Sequence, residues 1–339
     1  MIIDLSVTGK LKPLPDVSFH DAAFLNAMIE AKYVPYQEEP NDVHGKAQEE
    51  IRALGQQLFP FSPYSFELAM SLYDWTTPSF TRLVYLKIFE YTGIDQDPSP
   101  LDETSLARMI YASNWGPYTA RNPAFMNSFM MFPASSERDV QEQLKAVAPK
   151  LHELSDVQNR LLAAGMQAMP RTSVDAHTQL FSGQVDIHEL GLDHFGIEFL
   201  ECPLNAGSID RLLTQSFETV LNSFVSPGKI ITTKMVWSFT DTLEDAMHYS
   251  NGILLVVHHP RDSAVWNAAS YITPLSIDPA KTEYTFPPRC QFEVLSTKTA
   301  TYEGKQIVVI ELSPTHDTQQ DLGNELPLSR QTEATGKAT

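Results

Sequence analysis

Lys281-Thr282-Glu283-Tyr284-Thr285-Phe286-Pro287-Pro288, followed by Gln291-Phe292-Glu293-Val294, is the stretch on which the reading of the fold turns. Aromatic and β-branched residues at Tyr284-Thr285-Phe286, closed by two prolines, read as a short strand with a hard stop. Gln291 to Val294 restarts the alternation and opens the next strand. Working outward, segments are short, β-branched or aromatic, and bounded by Gly, Pro, Asn or Asp from about Thr178 onward. Strands are expected over residues 178–182, 229–239, 252–258, 270–273, 283–286, 291–298 and 306–312. Helices interrupt them over residues 210–220 and 241–248. Strands with few helices make this half α+β or mostly β rather than a doubly wound sheet.

The first half has a different period. Ala22, Leu25, Met28 and Ile29 recur at three- and four-residue steps over residues 21–32, which buries one face of a helix. Ile51, Leu54 and Leu58 repeat the pattern over residues 47–58. Further helices are expected over residues 65–74, 81–92, 104–112 and 137–165. Pro149 removes a backbone donor and is expected to kink or split the last of these near Val147. The expected organisation is a helical lobe over residues 1–170 without strands, a second lobe over residues 171–312, and a tail over residues 313–339. That tail is rich in Thr, Gln, Asp, Pro and Gly, so disorder is expected there.

At 339 residues and 42% apolar composition, the chain can bury more than one core. A formal net charge of -18, without long runs of one sign, repels phosphate backbones and anionic lipid. Neither nucleic acid nor membrane is an expected partner. The two cysteines, Cys202 and Cys290, form no disulfide framework and sit at no zinc-site spacing. A polar N-terminus and an apolar run no longer than Ile253 to Val257 make a soluble, cytoplasmic protein the expectation, with export by a dedicated system left open. His188, Glu189, Asp193 and His194 are metal-ligating residue types, but their spacing fits no defined motif, and no metal is expected. His258 and His259 point to opposite faces of a strand. Phosphate-loop, dinucleotide-fingerprint and nucleophile-elbow motifs do not occur.

Glu283 opens an apolar strand, and Ser238 and Thr240 alternate on another, so both hydroxyls face one side. A carboxylate oriented by hydroxyls is one way to stabilise a developing cation. The same residues also describe a solvated strand end beside a cross-strand hydroxyl ladder. Aromatics gather in the helical lobe, where Trp75 and Trp115 are candidates to line a cleft between the lobes and are otherwise core.

The order Ser238-Phe239-Thr240, then Glu283, then proline and Phe292-Glu293-Val294 resembles the mono-ADP-ribosyltransferase family in its Arg-Ser-Glu branch. The likeness covers about residues 179–295 and is most specific over residues 276–294. It implies an ADP-ribosyltransferase-like split β-sandwich behind the helical lobe, a layout similar to toxin and effector members. It implies NAD as substrate and a glycosyl-transferring enzyme with a protein or small-molecule acceptor. By the resemblance, Glu283 holds the nicotinamide-ribose hydroxyl and stabilises the cation as nicotinamide leaves. Ser238 positions that glutamate, Thr240 completes the hydroxyl motif, and Gly183 contacts the nicotinamide amide through its backbone. Aromatic chemistry adds Phe239 and Tyr249 as stacking or lip residues of the ring pocket.

The chain departs from the family pattern at two positions. Ser182 stands where the family has its NAD-anchoring arginine, and a serine supplies no charge to the dinucleotide. Arg171 and Arg289 are the cations that would substitute. Lys281 stands on the acceptor side where arginine-modifying members have glutamate, and an ammonium cannot accept hydrogen bonds from a guanidinium. A non-arginine acceptor, or water, follows. The alternative is a chain that keeps this fold as a binding module or uses Glu283 for other chemistry.

Overall fold

The computed structural model describes residues 16–36, 45–77, 103–112, 114–115, 118–169, 178–183, 225–233, 236–248, 250, 252–259, 269–287 and 290–315. The expected helices at 81–92 and 210–220, the tail from residue 316 on, Cys202, Tyr249, Arg171, Arg289 and the His188 to His194 group lie outside these residues. So does the side chain of Trp115.

The architecture is α+β, with helices filling the first half and strands the second. Helices α1 (Phe19–Glu30), α2 (Gln48–Leu58), α3 (Ser65–Thr76) and α4 (Glu103–Ala112) come first. Ser18 caps α1 by accepting from the Asp21 N–H, and Ala22, Leu25, Met28 and Ile29 form its buried face. A two-residue strand pair, β1 (Asn114–Trp115) and β2 (Tyr118–Thr119), interrupts the helices; no strand was expected there. Asn122 then caps the short α5 (Pro123–Ser128).

The long α6 (Glu137–Ala168) runs through Pro149 without a break, which corrects the expected split. Val140, Leu144, Ala148, Leu151, Leu154 and Leu161 continue one buried stripe across the proline. Packing of that stripe against α1, α3 and α4 outweighs the single lost hydrogen bond. Asp21 of α1, 6% exposed, takes two bonds of 2.8 Å from the Arg160 guanidinium of α6. Burial pushes the Asp21 pKa up, but Arg160 outweighs it and holds the carboxyl below its ordinary value.

In the second half, β3 (Gln179–Ser182), β6 (Ile253–His258), β10 (Lys305–Pro314), β9 (Gln291–Tyr302) and β4 (Ile230–Thr232) form a five-stranded sheet in the order β3-β6-β10-β9-β4. Its β6–β10 pair is parallel and the rest are antiparallel. The strands β5 (Trp237–Phe239), β8 (Tyr284–Phe286) and β7 (Ser270–Tyr271) form an antiparallel three-stranded sheet in the order β5-β8-β7. One apolar cluster joins the two sheets, with Leu180, Leu255, Phe292, Val308 and Ile310 meeting Trp237, Phe239, Tyr284 and Phe286. This is a split β-sandwich, with a lone bridge between Phe181 and Thr240 tying one sheet to the other.

The single strand expected over residues 229–239 is two, one in each sheet. Thr233 makes the corner: its hydroxyl donates to the Pro287 carbonyl at 3.0 Å and accepts from the Cys290 N–H at 2.9 Å. The last two strands are longer than expected and join as a tight hairpin through Glu303 and Gly304, whose φ values of 48 and 79 are those of a two-residue primed turn. The short α7 (Leu243–His248) lies against β3. Among the described residues, no helix is long and apolar enough to cross a membrane.

Candidate active site

Glu283 stands one residue before β8, where its backbone is clamped to the turn after β7. Its N–H donates to the Thr273 hydroxyl at 2.7 Å, and its carbonyl accepts from the Ile272 N–H at 2.9 Å. The 3-10 turn Thr273–Leu275 brings Ser276 round to the same place. Ser238 pairs with Thr285 across the β5–β8 ladder, which makes it the diagonal neighbour of Glu283. Its hydroxyl donates to Glu283 Oε1 at 3.2 Å. Ser276 also hydrogen-bonds the carboxylate.

Burial raises the Glu283 pKa from 4.5 to about 6, against the pull of the Ser276 and Ser238 hydroxyls. Glu283 as a residue is nonetheless only half-buried. A carboxylate in these surroundings is ionised near neutral pH and poorly hydrated. It can stabilise a cation beside it, or move a proton close to neutrality.

Thr240 and Thr282 hydroxyls lie 3.1 Å apart, and Thr282 also donates a short bond to Asp241. Thr240 exchanges two backbone bonds of 2.8 Å with Phe181, so the end of β3 is held beside the hydroxyl motif. The structure therefore brings Glu283, Ser238, Thr240, Ser182 and Gly183 into one neighbourhood. Ser182 is 8% exposed. At Gly183 any Cβ would stand 2.0 Å from the Ala246 carbonyl oxygen of α7, so only glycine lets that helix approach.

One other site expectation, Phe239 as a stacking residue, is placed differently. Phe239 is 3% exposed and packs edge-on against Phe286 at 5.2 Å, in the core between the sheets. Strand alternation explains this, since a residue between Ser238 and Thr240 must face the other way. Lys281 is half-buried in the turn before Glu283, with its ammonium 3.8 Å from Asp278.

Trp75, a candidate cleft residue, donates its indole N–H to the Ser238 hydroxyl at 3.2 Å from the C-terminal turn of α3. Two further contacts from the helical half went unforeseen. Lys46 places its ammonium 2.8 Å from the Ser276 carbonyl, and Thr76 accepts from the Ile277 N–H at 2.9 Å. The pair of hydroxyls around Pro274 was the available signal for Thr273 and Ser276. Lys46 carried none.

No protein-family model and no curated protein sequence matches the chain. Among solved structures, the SpvB ATR domain of Salmonella is 11% identical, with 74% of this chain covering 98% of that one at a TM-score of 0.36. The Clostridium limosum C3 exoenzyme is 14% identical, with 80% of this chain covering 95% of that one at a TM-score of 0.35. The C3larvin toxin of Paenibacillus larvae, described as an ADP-ribosyltransferase, is 15% identical over 47% of this chain and 76% of its own, at a TM-score of 0.33. At identities this low no residue's role passes from those proteins to this chain.

Proposed function

We propose that the chain cleaves the bond between nicotinamide and ribose in NAD and transfers ADP-ribose to a non-arginine acceptor, a protein or small molecule, or to water. The observation that carries this reading is the Ser238 hydroxyl held 3.2 Å from a half-buried Glu283 carboxylate. In the proposed step the C–N glycosidic bond breaks with its electron pair leaving on nicotinamide. Glu283 stabilises the resulting ribosyl cation and holds the ribose hydroxyl beside it. The acceptor then bonds to the cationic carbon and releases its proton. Thr240 and Gly183 shape the neighbouring wall, and Lys281 at the acceptor side disfavours a guanidinium.

The test is NAD binding by calorimetry and nicotinamide release by the purified chain, beside Glu283→Ala. Binding, with release that falls about a hundredfold or more in the variant, supports the transferase. Ser182, a neutral side chain in the place of the family's arginine, favours a second reading, a binding module that keeps the fold. Failure to bind millimolar NAD would overturn the transferase and leave a binding module or other chemistry at Glu283.

A further inference from the structure

The Ser238 hydroxyl has one proton and two lone pairs, so its contacts determine which way it points. The Trp75 indole is a donor only. With the indole N–H at 3.2 Å occupying a lone pair of Ser238 Oγ, and Glu283 Oε1 at 3.2 Å on the other side, the proton of Ser238 has its acceptor in the carboxylate. A bond of that length is long for a hydroxyl donor, which leaves it room to tighten once a substrate closes the site. Trp75 is 9% exposed at the end of a helix whose neighbouring residues are buried, so its ring has little freedom to leave.

We propose that Trp75 is a positioning residue, whose indole N–H commits the Ser238 proton to the Glu283 carboxylate and so links the helical half to the reacting group. The catalytic part rests on the transferase reading; the link itself does not. In a chain with hydroxyl and carboxylate alone, Ser238 could turn its proton to any nearby acceptor. The indole removes that choice and favours the ionised glutamate, the form a ribosyl cation requires. Burial pulls in the opposite direction, toward the neutral acid.

Other ionisable groups lie on the elements that carry this trio. They are Asp74 and Tyr73 on α3, Lys46 on the Ser276 carbonyl, Asp278 and Lys281 in the turn before Glu283, Asp241 on Thr282, and Tyr271 and Tyr284 on β7 and β8. Glu283→Gln separates the carboxylate from all of them.

The experiment follows the four indole N–H signals of the full-length chain by proton–nitrogen correlation spectra across a pH series. The Trp75 signal is assigned by its loss in Trp75→Phe. It should shift with a midpoint near the Glu283 pKa of about 6, lose that shift in Glu283→Gln, and lose most of it in Ser238→Ala. An indole that ignores pH, or one that titrates unchanged in Ser238→Ala, would overturn the link. Neither arm needs NAD, so the outcome stands apart from the transferase reading. If NAD is cleaved, Trp75→Phe should lower kcat about five- to tenfold with little change in KM, about 1 kcal/mol of lost hydrogen bonding. The acid limb of its pH profile should move upward, Ser238→Ala should do the same, and the double variant should add little. Additive losses with an unmoved acid limb would reduce Trp75 to packing.

Discussion

Ionising Glu283 in the folded chain costs more than ionising it in the unfolded one, because burial strips water from the carboxylate and two hydroxyls only partly replace it. Its pKa near 6 lies above the unfolded 4.5, so between these values the folded chain holds a proton that the unfolded chain has lost. Stability from this group is therefore complete below about pH 4.5 and falls as pH rises through about 6, by at most about 2 kcal/mol. Glu283→Gln should accordingly melt a few degrees above the parent at about pH 8 and lose that advantage near pH 4.5. Thermal melts at both values check this, and a variant no more stable than its parent at the higher pH would show that the carboxylate is well solvated. At this scale strand alternation gave only the shared face of Ser238 and Thr240, and the pairing of Ser238 with Glu283, which stands just before β8, was expected from the family resemblance and not from any period. Trp75 lies 163 residues from Ser238, and no local period announces a contact made by tertiary packing alone.

Elements were legible where their pattern repeats and obscure where the chain turns. The stripe of α6 was clear, yet Pro149 argued for a break, since a local rule cannot weigh the packing on either side. Residues 229–239 read as one strand because their β-branched run is continuous; among the described residues Thr233, bonded to Pro287 and Cys290, marks the switch between sheets. The Glu303-Gly304 turn carries a weak sequence signal, since a glutamate at positive φ is uncommon, unlike the asparagine or aspartate that usually precedes such a glycine. Gly183 was singled out for a ligand contact, while the structure adds a packing reason for glycine there. Gly183→Ala would set a methyl 2.0 Å from the Ala246 carbonyl and 3.1 Å from the Ser250 Cα, so α7 must retreat from β3. A loss of about 1–3 kcal/mol is expected in denaturant unfolding, the usual cost of overpacking. An alanine variant as stable as the parent would mean that α7 shifts freely, and that Gly183 is held for another reason.

For the whole molecule, the question is whether the helical and sheet-bearing halves stand or fall together. Val236, Ile272 and Leu275 come from the second half, yet they belong to the same apolar cluster as Leu72, Trp75, Leu161 and Met166 of the first. Separating the halves would expose these three side chains, each 7% exposed or less, at about 1.5–3 kcal/mol apiece. Hydrogen bonds among the described residues cross the same boundary, including Lys46 to Ser276, Trp75 to Ser238, Ile277 to Thr76, and the Ser270 hydroxyl to the Met166 carbonyl at 2.7 Å. Three of them land on the segments that hold Glu283, so loosening the helices would loosen the carboxylate's own supports. The full chain should therefore unfold in a single transition, with tryptophan fluorescence and far-ultraviolet dichroism following the same curve. Two transitions separated by more than about 5 °C would mean that the boundary is too weak to couple the halves, and that the site's geometry is set by the sheets alone.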